Sequence, residues 1–319
     1  MPYELSNRLV VGVASSAVFD LSKSDTVFRS QGEEKYRRFQ ERNLHKPLPK
    51  GIAFPFIKRL LSLNDLSEKD DNPLVEVILL SRNDPDTGLR VMKTIDHYGL
   101  KITRAIFTQG KSPYEYIPEL NISLFLSGHK PDVEAAISLG HPAGQVLKSK
   151  FNEDENDNTL RIAFDFDGVL SGDESETVMQ SGGITAFHDH EVRNATQPHN
   201  PGPLKQFLVK ISQIQSKEES HKKSNPEYSN RIRVSIVTAR NAPSHERAIK
   251  TLKSWGVMAN DAFFLGGIDK GKILSTLKPH IFFDDQPNHL KSTSMVAPSV
   301  HIPFGVTNRK NLITQQDTN

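Results

Sequence analysis

Two distant stretches of this chain follow one pattern in one register. Residues 74–80 form a short, almost wholly apolar run, residues 89–98 carry helical periodicity, and Gly99 stands where a helix would stop. Residues 232–237, residues 246–255 and Gly256 repeat that order. At a constant offset of 157 positions, Val77 meets Val234, Arg90 meets Arg247, and Lys93-Thr94 meets Lys250-Thr251. The register holds through Gly99 and Gly256, Ala105 and Ala262, Phe107 and Phe264, Gly110 and Gly267, Leu120 and Leu277, and Phe125 and Phe282. Nearer the start the offset is slightly different, with Leu9 opposite Leu160 and Val18 opposite Val169. Apolar strand-like runs that alternate with helical segments imply βαβ units and a mainly parallel sheet. The expected fold is therefore α/β, built as two tandem Rossmann-like parallel-sheet units spanning 1–150 and 159–306. The polar, acidic run 152–158 joins them, a second polar stretch at 216–230 reads as an exposed loop, and the residues 307–319 read as a polar tail.

Chemistry is concentrated in the second unit. Phe164-Asp165-Phe166-Asp167-Gly168-Val169, Val237-Thr238 and Phe283-Asp284-Asp285 each close an apolar run, and Lys270 lies just past another. In open α/β sheets ligands gather at the carboxyl ends of strands, so these residues are expected on one rim. Asp165 can attack phosphorus and split one difficult hydrolysis into two easier steps. Asp167 can protonate the leaving oxygen and later activate water. Asp165, with Asp284 or Asp285, offers the hard oxygen ligands that Mg2+ prefers. Thr238 can donate to a phosphoryl oxygen, and Lys270 offsets the crowded negative charge. Each element alone has a blander reading: a turn for Asp-x-Asp and for Asp284-Asp285, a helix cap for Thr238, a solvated side chain for Lys270. Their conjunction at strand ends favours the catalytic one.

The first unit lacks the set. Ala14 stands opposite Asp165, Ser16 opposite Asp167, Ser81 opposite Thr238, Pro113 opposite Lys270, and Ser127-Gly128 opposite Asp284-Asp285. It is expected to be non-catalytic: a scaffold, an oligomerisation surface or a regulatory site. Residues 266–272 satisfy G-x-x-x-x-G-K, but Ile273 follows where a phosphate-binding loop needs Ser or Thr. His188-Asp189-His190 is too loosely spaced for a metal site and reads as a polar loop.

With 40 basic against 38 acidic residues the chain has a net charge of +2, which argues against nucleic acid as a partner. It has no cysteine, which excludes disulfides and thiolate zinc sites and fits a reducing cytoplasm. The longest apolar stretch, 9–19, is too short to span a bilayer, and no signal peptide is visible, so no membrane partner is expected.

The four motifs resemble those of the haloacid dehalogenase-like phosphatases. Ala53-Phe54-Pro55-Phe56, Gly202-Pro203-Leu204-Lys205, Val237-Thr238-Ala239-Arg240 and the segment 279–286 are similar to the cytosolic 5′-nucleotidase I family, as are Ala14-Ser15-Ser16 and Phe19-Asp20. The resemblance covers about residues 9–290. It implies two haloacid dehalogenase-like units, the second catalytic with a small cap inserted around 171–230. It also implies magnesium-dependent hydrolysis of nucleoside 5′-monophosphates such as AMP or deoxynucleoside monophosphates. By the same resemblance Asp165 is the nucleophile, Asp167 the acid/base, Thr238 and Lys270 the phosphate binders, and Asp165, Asp167, Asp284 and Asp285 the metal end. Phe187, His188 and Arg193 are candidate base or sugar contacts, and Arg240 a phosphate contact. Members of the family often carry Asp-Gly-Asp-Ala-Val where this chain has Asp165-Phe166-Asp167-Gly168-Val169; both carboxylates are kept, while substrate preference is left open. Alternatives are a related phosphatase acting on a sugar phosphate and a nucleotide sensor without turnover. A homo-oligomer is left open.

Overall fold

The structure is a computed structural model that describes residues 3–67, 72–149, 154 and 156–308. Its first half supplies strands β1 (Leu9–Val13), β2 (Val75–Ser81), β3 (Arg104–Phe107), β4 (Leu124–Ser127) and β5 (Ala143–Val146). The second half supplies β6 (Leu160–Phe164), β7 (Ile232–Thr238), β8 (Asp261–Phe264), β9 (Ile281–Asp284) and β10 (Ser299–His301). All ten join in one sheet, ordered β3-β2-β1-β4-β5-β10-β9-β6-β7-β8. Read outward from the middle, the two halves have the same order. Neighbours are parallel within each half, and the halves meet antiparallel, Val146 beside Val300 and Gln145 beside His301. The strand carboxyl ends of the two halves therefore open on opposite edges of the sheet. Every residue of β1, β2 and β4 is buried, which requires cover on both faces.

Among the described residues that cover comes from ten helices: α1 (Ser15–Val18), α2 (Ser22–Arg42), α3 (Phe54–Ser62), α4 (Pro85–His97), α5 (Lys130–Ser138), α6 (Glu174–Arg193), α7 (Lys205–Ser224), α8 (His245–Ser254), α9 (Lys270–Leu277) and α10 (Pro287–Thr293). Phe54-Pro55-Phe56 opens α3, with proline in the first turn, where its missing N–H costs nothing, and both rings buried. Gly99 and Gly256 follow α4 and α8 with φ of 63° and 67°, the left-handed stop that the sequence predicts.

Matching bonds recur in the two halves. Arg90 Nε donates to the Lys46 carbonyl at 3.1 Å, and Arg247 Nε to the Gln197 carbonyl at 2.9 Å. Their Nη1 atoms reach Gln40 and Glu191, each at 3.0 Å. The Leu48 N–H donates to Thr94 Oγ1 at 3.2 Å, and the His199 N–H to Thr251 Oγ1 at 3.1 Å. Helices α2 and α6 each break at a glycine, Gly32 and Gly183.

α3 and α7 lie across the junction. α3 packs on β2 and on β6 of the other half, while α7 packs on β1, and Phe56 meets Phe207 edge-on at 6.5 Å between ring centres. Arg59 of α3 donates to the carbonyl of Asp157, which leads into β6 (2.7 Å). Lys210 of α7 donates to the carbonyls of Ser6 (3.2 Å) and Arg8, which lead into β1.

Four expectations change. Residues 216–224 are the last turns of α7 rather than loop. Phe207, Leu208, Ile211 and Ile214 of that helix are buried in the main core, so α7 covers the sheet rather than capping the site. His188, Asp189 and His190 lie on α6, not on a loop. Of the expected tail, Thr307 and Asn308 are packed against the second half, Asn308 buried with Nδ2 donating to the Asp285 carbonyl at 2.9 Å; 309–319 lie outside the described residues. Most of the joining run 152–158 is likewise outside them. Among the described residues no helix is long and apolar enough to cross a membrane.

Candidate active site

Strands β6, β7 and β9 are neighbours or next neighbours, so their carboxyl ends bring Asp165, Thr238 and Asp284 to one rim. Asp165 follows β6 at once and is held in the sheet by its N–H, which donates to the Phe283 carbonyl at 2.8 Å. Lys270, first residue of α9, reaches back with Nζ 2.8 Å from Asp165 Oδ2 and 2.7 Å from Asp284 Oδ2. All three are buried. One lysine thus serves two carboxylates from paired strands that are far apart in sequence.

The electrostatics follow from burial and from that sharing. Burial pushes Asp165 up to about 6; Lys270 opposes the shift, and Asp284 and Asp167 add to it. Burial acts on Asp284 as well, but Lys270 and His289 together draw it below the usual carboxylate range. His289 Nδ1 lies 3.2 Å from Asp284 Oδ2. Asp284 keeps its charge because Lys270 and His289 both face it. Lys270 is held well above its ordinary range by Asp165 and Asp284, despite the opposing effect of burial.

Asp285 lies beside them, buried, with Oδ1 lacking any hydrogen-bond partner. Burial, Asp284 and Asp165 push its carboxyl well up. Gly168 makes room for it: a Cβ there would lie 2.6 Å from the Asp285 carboxyl carbon, and its φ of +72° is one that other residues rarely adopt. Buried Asp165, Asp284 and Asp285, with Asp167 nearby, face one lysine. This surplus of hard oxygen ligands, one of them unpartnered, fits a divalent cation. Ligand atoms of Asp165, Asp284 and His289 lie within 4.8 Å of one another.

Asp167 is separately held. Arg240, just past β7, grips it at both oxygens, Nε to Oδ2 and Nη2 to Oδ1, each at 2.6 Å. The same guanidinium bonds Glu191 on α6, a fully buried carboxylate. Glu191 also meets His199 at 3.1 Å, Arg247 at 3.0 Å and Ser175 Oγ at 2.8 Å. Against burial, His199 and Arg240 hold it far below the usual range. Thr238 Oγ1 accepts from the Arg240 N–H at 3.2 Å.

Of the candidate contacts, Phe187 lies beside the Arg240 guanidinium at 5.2 Å, and His188 Nδ1 is 2.6 Å from Ser244 Oγ. Arg193 is not brought to the site; its side chain is 78% exposed and faces Asp189. Nothing in the sequence singles out His289 or Glu191. Each is a lone residue on a helix, and only the fold joins them to Asp284 and Arg240.

A family model for 5′-nucleotidases matches residues 1–309. The chain belongs to the 5′-nucleotidase family. This family member is 33% identical to human cytosolic 5′-nucleotidase 1B over 295 residues, covering 91% of the chain. It spans about half of that relative, 48% of its length. No solved structure matches.

Proposed function

We propose that the chain is a magnesium-dependent 5′-nucleotidase that hydrolyses nucleoside 5′-monophosphates, AMP or deoxynucleoside monophosphates, to nucleoside and phosphate. The observation that carries this reading is the convergence of Asp165, Lys270 and Asp284 at 2.7–2.8 Å, with Asp167 aligned by Arg240 on the same strand end. Asp165 Oδ attacks phosphorus, the bond to the 5′ oxygen breaks, and Asp167, after leaving Arg240 and taking up a proton from solvent, passes that proton to the oxygen. The aspartyl-phosphate is then hydrolysed by water, whose proton Asp167 takes up. Lys270 and Thr238 hold the phosphoryl oxygens and Lys270 keeps Asp165 and Asp284 apart in charge. Asp165, Asp284 and Asp285, with Asp167 alongside, would hold Mg2+, which supplies charge neutralisation for the phosphoryl group. Phe187 and His188 are the proposed base and sugar contacts.

The repeated strand order and matched hydrogen bonds support two tandem haloacid dehalogenase-like units, with α6 alone forming what cap there is. A cytoplasmic setting is supported by the absence of cysteine and by the name of the relative. Asp165→Asn is expected to abolish phosphate release from AMP by at least ~10³-fold with Mg2+ present, with circular dichroism unchanged. Turnover in that variant, or a preference for sugar phosphates over every nucleotide in a substrate panel, overturns the reading.

A further inference from the structure

The first half holds a cavity of about 800 Å³ at the carboxyl ends of its own strands, on the edge of the sheet opposite the catalytic rim. That volume is within the range of small-molecule sites. Its floor repeats the catalytic rim with the charges removed. Ala14, Ser16, Ser127 and Gly128 occupy the places of the four aspartates, and Ser81 that of Thr238. Both phosphate-facing cations are gone as well: Pro113 stands for Lys270, and Asn83 for Arg240.

The remaining cations do not make up the loss. Arg82 is committed to Asp132, with Nε 2.8 Å from Oδ2, and to the Gly110 carbonyl at 3.0 Å. His129, which also lines the cavity, faces the same Asp132, with Nδ1 3.1 Å from Oδ2. Arg29 stands exposed at the rim near the Asp25 carboxylate. A phosphate would enter this cavity without a buried cation to meet it.

The walls suit a planar, neutral ring instead. Phe28 lines the cavity and is 51% exposed, though large and apolar. It stands edge-on to Tyr36 at 5.5 Å, and Tyr36 occupies the place that Phe187 has in the second half. Asp25 offers an acceptor for an exocyclic amine, and the hydroxyls of Ser16 and Ser81 can bond sugar hydroxyls.

We propose that the first-half cavity binds a phosphate-free nucleoside, stacked on Phe28 with its sugar on the serine floor, and carries out no chemistry on it. The choice of a nucleoside rests on the nucleotidase reading of the second half; the cavity and its charge do not. The test is photolabelling of the full-length Asp165→Asn protein with 8-azidoadenosine, followed by peptide mapping. Labels are expected on α2 as well as in the second half. Phe28→Ala is expected to reduce the α2 label about tenfold, the loss of about 1.4 kcal/mol of stacking, while leaving the second-half label intact. The same substitution beside a native Asp165 leaves kcat/KM for AMP unchanged. Labelling confined to the second half, or an α2 label that survives Phe28→Ala, overturns the proposal. AMP competing better than adenosine for the α2 label overturns the phosphate-free assignment. Absence of AMP hydrolysis would fail the nucleotidase reading alone, since the α2 label is read independently of turnover.

Discussion

Gly168 links backbone conformation to chemistry more tightly than any other residue of the rim. Its positive φ turns the chain after Asp167, and its missing Cβ is the space that Asp285 occupies. Gly168→Ala is expected to cost roughly 2 kcal/mol through the left-handed backbone alone, read as a lower urea midpoint. It should also raise the Mg2+ concentration needed for half-maximal activity, because the added carbon moves the Asp285 carboxyl. An unchanged Mg2+ requirement would separate Asp285 from the metal end. At this scale the sequence was most legible where a polar candidate ends an apolar run, as Asp165, Thr238 and Asp284 do. It was least legible for Glu191 and His289. A buried glutamate compensated by His199, Arg240 and Arg247 looks, in one dimension, like any solvated glutamate on a helix.

Among the elements, the entry into β6 and β9 is joined by a histidine. The Arg161 N–H donates to His280 Nδ1 at 3.0 Å, and the His280 N–H donates to the Arg161 carbonyl at 2.8 Å. Burial, with Arg59 and Arg161 nearby, lowers the His280 ring to about 3. The neutral ring is therefore the folded form, and the unfolded chain takes up a proton first, near pH 6.5. Its stabilisation is complete above about pH 6.5 and is lost progressively as pH falls towards 3. At pH 5 the loss is about 2 kcal/mol. Urea titrations at pH 7 and pH 5 should show it, and His280→Asn should narrow the difference between the two. Helix α7 shows where periodicity misleads. Its last turns are Ser, Lys, Glu and His, the composition of a loop, yet Glu218 there is fully buried and accepts from the Arg231 and Ile232 N–H groups and the Tyr228 hydroxyl. A polar stretch can be helical when one of its charges fastens the next strand.

For the whole molecule, the two halves read as separate units in sequence and are interlocked in space. The matching strand order of the two halves follows the register in which the sequence repeats. The exchange of α3 and α7 across the middle is not legible in that register, because it depends on which strand each helix faces. Residues 159–308 produced alone would expose Phe207, Leu208 and Ile211, which pack in the shared core, and would leave the Lys210 ammonium without its carbonyls. That fragment is expected to be insoluble or to lack a cooperative thermal transition, whereas the whole chain unfolds in one. A folded, active fragment would show that the halves are independent.

The antiparallel meeting of β5 and β10 has one more effect. Two separate five-stranded sheets would present four open margins of unpaired backbone, each a template for pairing with other molecules. Here the two inner margins satisfy each other, and close fit makes the seam specific: a Cβ on Gly144 would fall 2.4 Å from a Val300 methyl. Among the described strands only β3 and β8 remain at the outside. Each half thus covers a margin that the other would otherwise leave open to pairing.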